Sequence, residues 1–508
     1  MTSRKALIGF AAILVSISGA SGGERDRLAP SLLIDERIDA QLKSANLPAS
    51  PVADDEEFLR RVYLDLHGRV PTAEQAQAFL ADVAANKRAK LIDQLLADQR
   101  FAAHLADLWD DYLIPGAEDS RALKPRFTAW LEESFATKPW DRITQELLTA
   151  AGHRDKDPAT LYLFKGRETL SPTELTDLVS QYFVGIRLNC AQCHDHPFTT
   201  WKQSDYWGMA AFFTEIQYTD RRLQKSGLIR DDSAVALDKL EDAARLRTRK
   251  FLGGSAADEQ TGVPHRQALV RWLTAADNPY FARAMVNRMW AQFYGRGLVN
   301  PVDDMHQDNP PTHPELLAEL SERFIAAGYD LRELCRTICN SAAYQRTSRP
   351  LAGNERDTTL YSHMAIKVLT PEQLYDSLAV VVPNTERQKG PARNADPREE
   401  FVQFFRSAGD PNLIAYDRGI PQALRMMNSS QTLSPRTAAA TVRRMIKPDA
   451  TAEQAIDGLY LHVLTRRPTE QERKLHQDFL SGHPGARDEA YAEILWALLN
   501  SSEFSLNH

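Results

Sequence analysis

The chain predicts an all-α, mainly helical protein of two helical domains joined by a charged linker. Three observations carry this. Ser or Thr followed three residues later by Glu or Gln satisfies two orphan backbone donors at a helix start, and the pair occurs at Thr72/Gln75, Ser171/Glu174, Thr312/Glu315, Thr370/Gln373, Thr451/Gln454 and Thr469/Glu472. Apolar residues at helical spacing follow most of these starts, several beside a proline in the first turn. Alternating strand patterns are scarce. The run Ala379 to Pro383 is the most strand-like, yet it fits the end of the preceding helix equally well.

A chain of 508 residues is too long for one ordinary domain. With 43% hydrophobic and 25% charged residues it belongs among folded globular proteins. The net charge of -7, from 61 Lys+Arg against 68 Asp+Glu, and the lack of a long basic run argue against a nucleic-acid partner. Residues 1–23 read as a signal peptide: Arg4 and Lys5, the apolar run Ala6 to Ile17, then small residues Ser18 to Gly23. That run is short for a membrane span, so no transmembrane anchor is expected after cleavage. The expected location is the periplasm or the cell surface, where disulfides and attached haem are both permitted.

The first domain, residues 29–218, opens with a helix carrying Phe58, Leu59, Val62, Tyr63 and Leu66, then a turn at Gly68 to Pro71. Leu91, Ile92, Leu95 and Leu96 line one face of a later helix. Phe101, Leu105, Leu108, Trp109, Tyr112, Phe127, Trp130, Leu131 and Phe135 follow at similar spacing and read as core. Residues 219–264 form the linker, with alternating charges, Gly253-Gly254-Ser255 and an expected exposed helix around Asp238 to Phe251. The second domain spans 265–505, and Asn384 to Pro397 within it reads as a surface loop. Leu64-Asp-Leu-His-Gly-Arg-Val-Pro71-Thr72 resembles Leu461-His-Val-Leu-Thr-Arg-Arg-Pro468-Thr469, which points to a duplicated helical unit at the two ends of the chain; convergent helix-turn-helix chemistry is the alternative.

Chemistry concentrates at Cys190-Ala-Gln-Cys193-His194-Asp195-His196-Pro197. It holds two of the chain's four cysteines, in the spacing of a c-type haem attachment site. The stripe Leu175, Leu178, Val179, Tyr182, Phe183 and Ile186 predicts a buried helix from Pro172 that ends in this motif. On a helix, positions i, i+3 and i+4 share a face, so Cys190 and Cys193 would take the haem vinyls while His194 serves as the proximal iron ligand. Asp195 is expected to orient an imidazole, and His196 to hydrogen bond. Trp201, Tyr206, Trp207, Phe212 and Phe213 would wall a haem pocket or simply form core. Met209, Met285, Met289, Met305, His306 and His313 are all admissible sixth ligands, and so is an open site. Three other readings stand: a Cys190–Cys193 disulfide, a metal such as zinc held by Cys190, Cys193, His194 and His196, and an inert pair.

A second candidate site lies at Asp303, Asp304, His306 and His313, where carboxylates and imidazoles would serve a metal or acid–base chemistry. A solvated turn is the favoured reading of that stretch. Gly295 and Gly297 read as a helix C-cap, not a phosphate cradle. Cys335 and Cys339, four apart on a helix, read as buried thiols.

Several segments together resemble a family of exported, planctomycete-type proteins built from two domains of unknown function, DUF 1549 (PSCyt, cytochrome-like) and DUF 1553 (PSD). The resemblance rests on Arg61-Val-Tyr-Leu-Asp-Leu-His-Gly-Arg-Val-Pro71-Thr, Cys190-Ala-Gln-Cys-His-Asp-His-Pro-Phe198, Asp205-Tyr-Trp-Gly-Met-Ala-Ala-Phe212 and Asp277-Asn-Pro-Tyr-Phe-Ala-Arg283. Asn287-Arg-Met-Trp290, Gly295-Arg-Gly-Leu-Val299 and Pro311-Thr-His-Pro-Glu-Leu-Leu317 complete it. It implies a mostly helical exported protein, with one domain ending near Tyr218 and the next starting near His265, and it supplies no established activity. The functional expectation is an exported haem c protein in electron transfer or haem redox chemistry, with a redox partner protein. The alternatives are a haem-free binding or scaffold protein with a Cys190–Cys193 disulfide, and a metal-dependent enzyme using residues 303–313.

Overall fold

The computed structural model describes residues 22–114, 123–165, 168–219, 228–232, 240, 242–254, 263–382, 397–405, 435–483 and 485–508. Most of the expected signal peptide and of the loop Asn384 to Pro397 lies outside them. Among the described residues the fold is mainly α-helical, with a small three-stranded sheet and two short strand pairs beside the helices. Among the described residues no helix is long and apolar enough to cross a membrane.

Five of the six expected capping pairs close in both directions, at Thr72, Ser171, Thr370, Thr451 and Thr469. The exception is Thr312. Its N–H and hydroxyl both turn to the carbonyl of Leu298, and helix Pro314–Ala326 starts from His313 without a side-chain cap. A tertiary partner has taken the hydroxyl that local geometry would have used. The run Ala379 to Pro383 contributes its first residues to helix Pro371–Val381.

The two similar segments fold alike. Helices Asp55–His67 and Ala452–Leu464 each stop at a left-handed residue, Gly68 (φ 67°) and Thr465 (φ 63°). Capped helices Ala73–Ala81 and Glu470–Ser481 follow, and then Lys87–Ala97 and Arg487–Leu499. Gly68 is constrained twice, because a Cβ there would also lie 2.5 Å from His104 Nδ1. The two units pack together: Leu64 and Val70 share a core with Leu459, Tyr460, Val463 and Leu464. The guanidinium of Arg60, fully buried, donates to the carbonyls of Val463 (3.4 Å), Phe504 (2.9 Å) and Leu506 (3.2 Å).

Packing does not respect the boundary between residues 218 and 265. One continuous core runs from Ile34 through Phe183 and Phe212 to Trp290, Leu316 and Tyr344. Inside the expected linker, strand Leu228–Asp231 pairs antiparallel with Ile216–Thr219 at the end of the first domain, and Gly152–His153 pairs with its other edge. Arg266, at the start of helix His265–Leu273, forks onto Asp231 at 2.8 and 2.9 Å. Where an exposed helix was expected, the described residues show a short 3-10 turn at Arg245–Arg247. Phe251 then stacks between Phe212 and Trp272, at 4.9 and 5.3 Å between ring centroids. The linker is stitched down by aromatic contacts that its charge pattern did not reveal.

Candidate functional site

Ser171 caps the helix that approaches the cysteine motif, with Pro172 in its first turn, and Leu175, Val179 and Phe183 face the core. After Val179 the helix widens into one π-turn, Ser180–Val184, and Gly185 ends it in the left-handed conformation (φ 76°). The amides of Gly185 and Ile186 both close on the Ser180 carbonyl. The Gly185 carbonyl in turn accepts the Met305 amide at 3.0 Å, so a loop from the second half of the chain takes over the helix end. The motif therefore does not sit at the end of this helix as its periodicity predicts. It occupies a separate 3-10 turn, Asn189–Gln192, and the residues just after it.

Cys190 and Cys193 are exposed and free. His194 is exposed as well, with its Nδ1 2.7 Å from the Asp195 carbonyl. A carbonyl can only accept, so Nδ1 carries the proton, and Nε2 makes no hydrogen bond among the described residues. The orienting group is thus the Asp195 backbone. Its carboxylate, expected to hold an imidazole, instead accepts the Gln203 amide (2.9 Å) and the Lys202 ammonium (3.1 Å). Those two bonds, the Gln203 amide first, hold the Asp195 carboxyl below its ordinary range. The Gln203 side-chain amide donates to the carbonyls of Gln192 (3.1 Å) and Cys193 (2.7 Å), and the Trp207 indole N–H donates to Gln192 (3.0 Å). Helix Gln203–Ala210 is what fixes the motif turn.

His196 accepts the Phe198 amide at its Nδ1 (3.3 Å). Burial, and then the neighbouring charge of His306, lower its pKa. That influence shows where the second candidate stretch lies. Asp304 and His306 (Oδ2 to Nε2, 3.7 Å) stand beside His196. Asp303 is buried and committed, accepting Gln181 Nε2 (2.6 Å) and Arg187 Nε (3.0 Å). His313 is elsewhere: buried, bonded to Thr312 Oγ1 (3.0 Å), 5.6 Å from the Tyr361 ring centroid, and pushed down to about 4 by burial. The four residues are not brought together, and among the described residues no three of His, Cys, Asp and Glu gather to hold a metal ion.

Met209, Met285 and Met289 are buried in the core, while Met305 packs against Gly185. Of the admissible sixth ligands, His306 is the one that adjoins the motif through His196. Tyr206, Trp207, Phe212 and Phe213 are likewise core residues; the Trp207 indole N–H bonds the motif at Gln192, and the carbonyl of the part-buried Trp201 accepts the His196 amide (2.9 Å). Cys335 and Cys339 are buried thiols whose pKa values burial raises.

A feature the sequence did not assign lies on the other side of the Arg187–Asp303 pair. A cavity of about 830 Å³ opens there between the two halves of the chain, with Arg288 and Arg296 in its wall. Both residues belong to short motifs visible in the sequence, Asn287-Arg288-Met289-Trp290 and Gly295-Arg296-Gly297. Asn287 builds the wall: its amide grips Val299 at both N–H (2.8 Å) and carbonyl (2.9 Å), and a Cβ on Gly297 would collide with it.

Fold and site define a mainly helical protein that presents a Cys-x-x-Cys-His turn at its surface, beside a seam between two segments. Those segments are the family domains: residues 33–218 match PSCyt2, a protein of unknown function (DUF1549), and residues 265–420 match PSD1, a protein of unknown function (DUF1553). The chain belongs to the proteins that carry both. No curated protein and no solved structure matches it significantly.

Proposed function

We propose that Cys190, Cys193 and His194 form a covalent haem c attachment site in an exported protein that works in electron transfer or haem redox chemistry. The observation that carries this reading is the state of the three side chains: two free, exposed thiols on one turn, next to an imidazole whose Nδ1–H is tied to a backbone carbonyl. That tie leaves Nε2 as the basic nitrogen, the arrangement of a metal-ligating histidine. Each thioether forms by addition of S–H across a vinyl C=C, which needs thiols and no oxidant. The group would supply a one-electron couple at the surface, with Phe198 (74% exposed) offering apolar area beside it and a redox protein as partner.

The test is expression in a host with c-type maturation machinery, followed by a haem stain of denatured protein and intact-mass measurement. One haem mass retained after denaturation is expected, lost on Cys190→Ala with Cys193→Ala. His194→Ala should shift the absorption spectrum while the haem stays attached. Cofactor-free protein sinks the reading, and a mass two hydrogens lower than the dithiol form identifies a disulfide-bearing scaffold instead.

A further inference from the structure

We propose that the cavity between the two family segments is a binding site for a small organic oxyanion, a carboxylate, sulfate ester or phosphate ester on an apolar body, with Arg288 and Arg296 as its anchors. The reading does not depend on haem at the cysteine motif.

The argument begins with unbalanced charge. Arg288 is 5% exposed, on helix Phe281–Tyr294. Its guanidinium carbon lies 5.0 Å from the Tyr112 ring centroid, 5.3 Å from Tyr182 and 5.9 Å from Trp109. Among the described residues it makes one hydrogen bond, Nη2 to the Gln181 carbonyl (3.2 Å), and its Nε has no partner. Arg296 Nε is buried and likewise has no partner among the described residues. Among the described residues neither guanidinium forms an ion pair. Among the described residues neither acid of the cavity wall pairs with them. Asp303 is taken by Arg187 (2.8 Å) and Gln181. Asp357 accepts the backbone amides of Thr359 (2.9 Å), Leu360 (2.8 Å) and Ser362 (2.9 Å).

A buried cation without a carboxylate is costly, and aromatic faces offset only part of that cost. A planar fork of N–H donors matches an oxyanion in geometry as well as charge. Tyr112, Tyr182, Tyr294 and Tyr361 also line the cavity, giving a ligand's apolar body ring faces to lie against. About 830 Å³ is the size of a small-molecule site.

The test uses the full chain, with benzoate and phenyl phosphate as probes and phenol as their uncharged counterpart, followed by calorimetry. One-to-one saturable binding of at least one anion is expected, with phenol at least about tenfold weaker. Arg288→Gln and Arg296→Gln should each weaken the anion about tenfold or more, and Lys474→Gln, on an exposed helix face, should leave it unchanged. No saturable anion binding, equal binding of phenol, or wild-type affinity in Arg296→Gln overturns the proposal. Should Arg288→Gln fail to fold, Arg296→Gln decides.

Discussion

The Lys367 ammonium and the Asp65 carboxylate meet at 2.6 Å in the core, with a sequence separation of 302 residues. Lys367 also donates to the carbonyls of Gln292 (2.9 Å) and Phe293 (2.8 Å), while Asp65 accepts Tyr344 Oη (2.8 Å) and Asn507 Nδ2 (2.7 Å). One ion pair thus joins the first unit, the helix bearing Arg288 and the final strand pair, Lys367–Val368 with Leu506–Asn507. Removing one partner leaves the other charge buried and alone. Lys367→Met is expected to cost about 3–5 kcal/mol of unfolding free energy in urea titrations; a loss below about 1 kcal/mol would show that water reaches the pair.

Two glycines should respond with opposite sign. Gly68→Ala forces a Cβ into left-handed backbone and against His104, so a loss of at least about 2 kcal/mol is expected. Gly458 sits inside helix Ala452–Leu464, and among the described residues nothing lies within 4 Å of a Cβ built there. Gly458→Ala should gain about 0.5–1 kcal/mol. Thermal melts of the two variants against the parent decide both.

Acid should weaken the fold through His313. Burial holds it at about 4, below its ordinary value, so the folded protein keeps it neutral where the unfolded chain protonates it. Its stabilising contribution is complete above about pH 6.5 and is lost as pH falls toward 4, a difference of about 3 kcal/mol. His313→Phe should flatten the stability profile over that window by a comparable amount. An unchanged slope in denaturation at pH 7 and pH 4 would exclude His313 as a source.

Gln203 is expected to act locally. Gln203→Ala removes two hydrogen bonds to the motif turn, worth about 1 kcal/mol each. Amide exchange across residues 189–196 should accelerate about tenfold while global stability changes by less than about 1 kcal/mol. Exchange that is unaltered there would mean that Trp207 alone anchors the turn.

Local signals carried most of the helical layout. Caps at Thr72, Ser171 and Thr469 are written within four residues of sequence, and the likeness of the two terminal units follows from their shared Arg-x-Pro-Thr turn. The motif's setting was missed because the apolar stripe runs on past Gly185, the left-handed residue at which the helix in fact ends. Leu175 to Ile186 keeps helical periodicity through Gly185, and only the Met305 amide, 120 residues later, captures the freed carbonyl. The same holds for the cavity: Arg288 reads as an ordinary helix residue until tertiary packing places three aromatic rings and no acid around it.

Arg60 has a temporal consequence. Its carbonyl partners at Val463 and Leu506 come 403 and 446 residues later, so a chain emerging from its N-terminal end cannot finish packing its first unit until nearly everything else has been delivered. Contacts this distant in sequence slow folding, and Leu64 and Val70 stay uncovered in the interval.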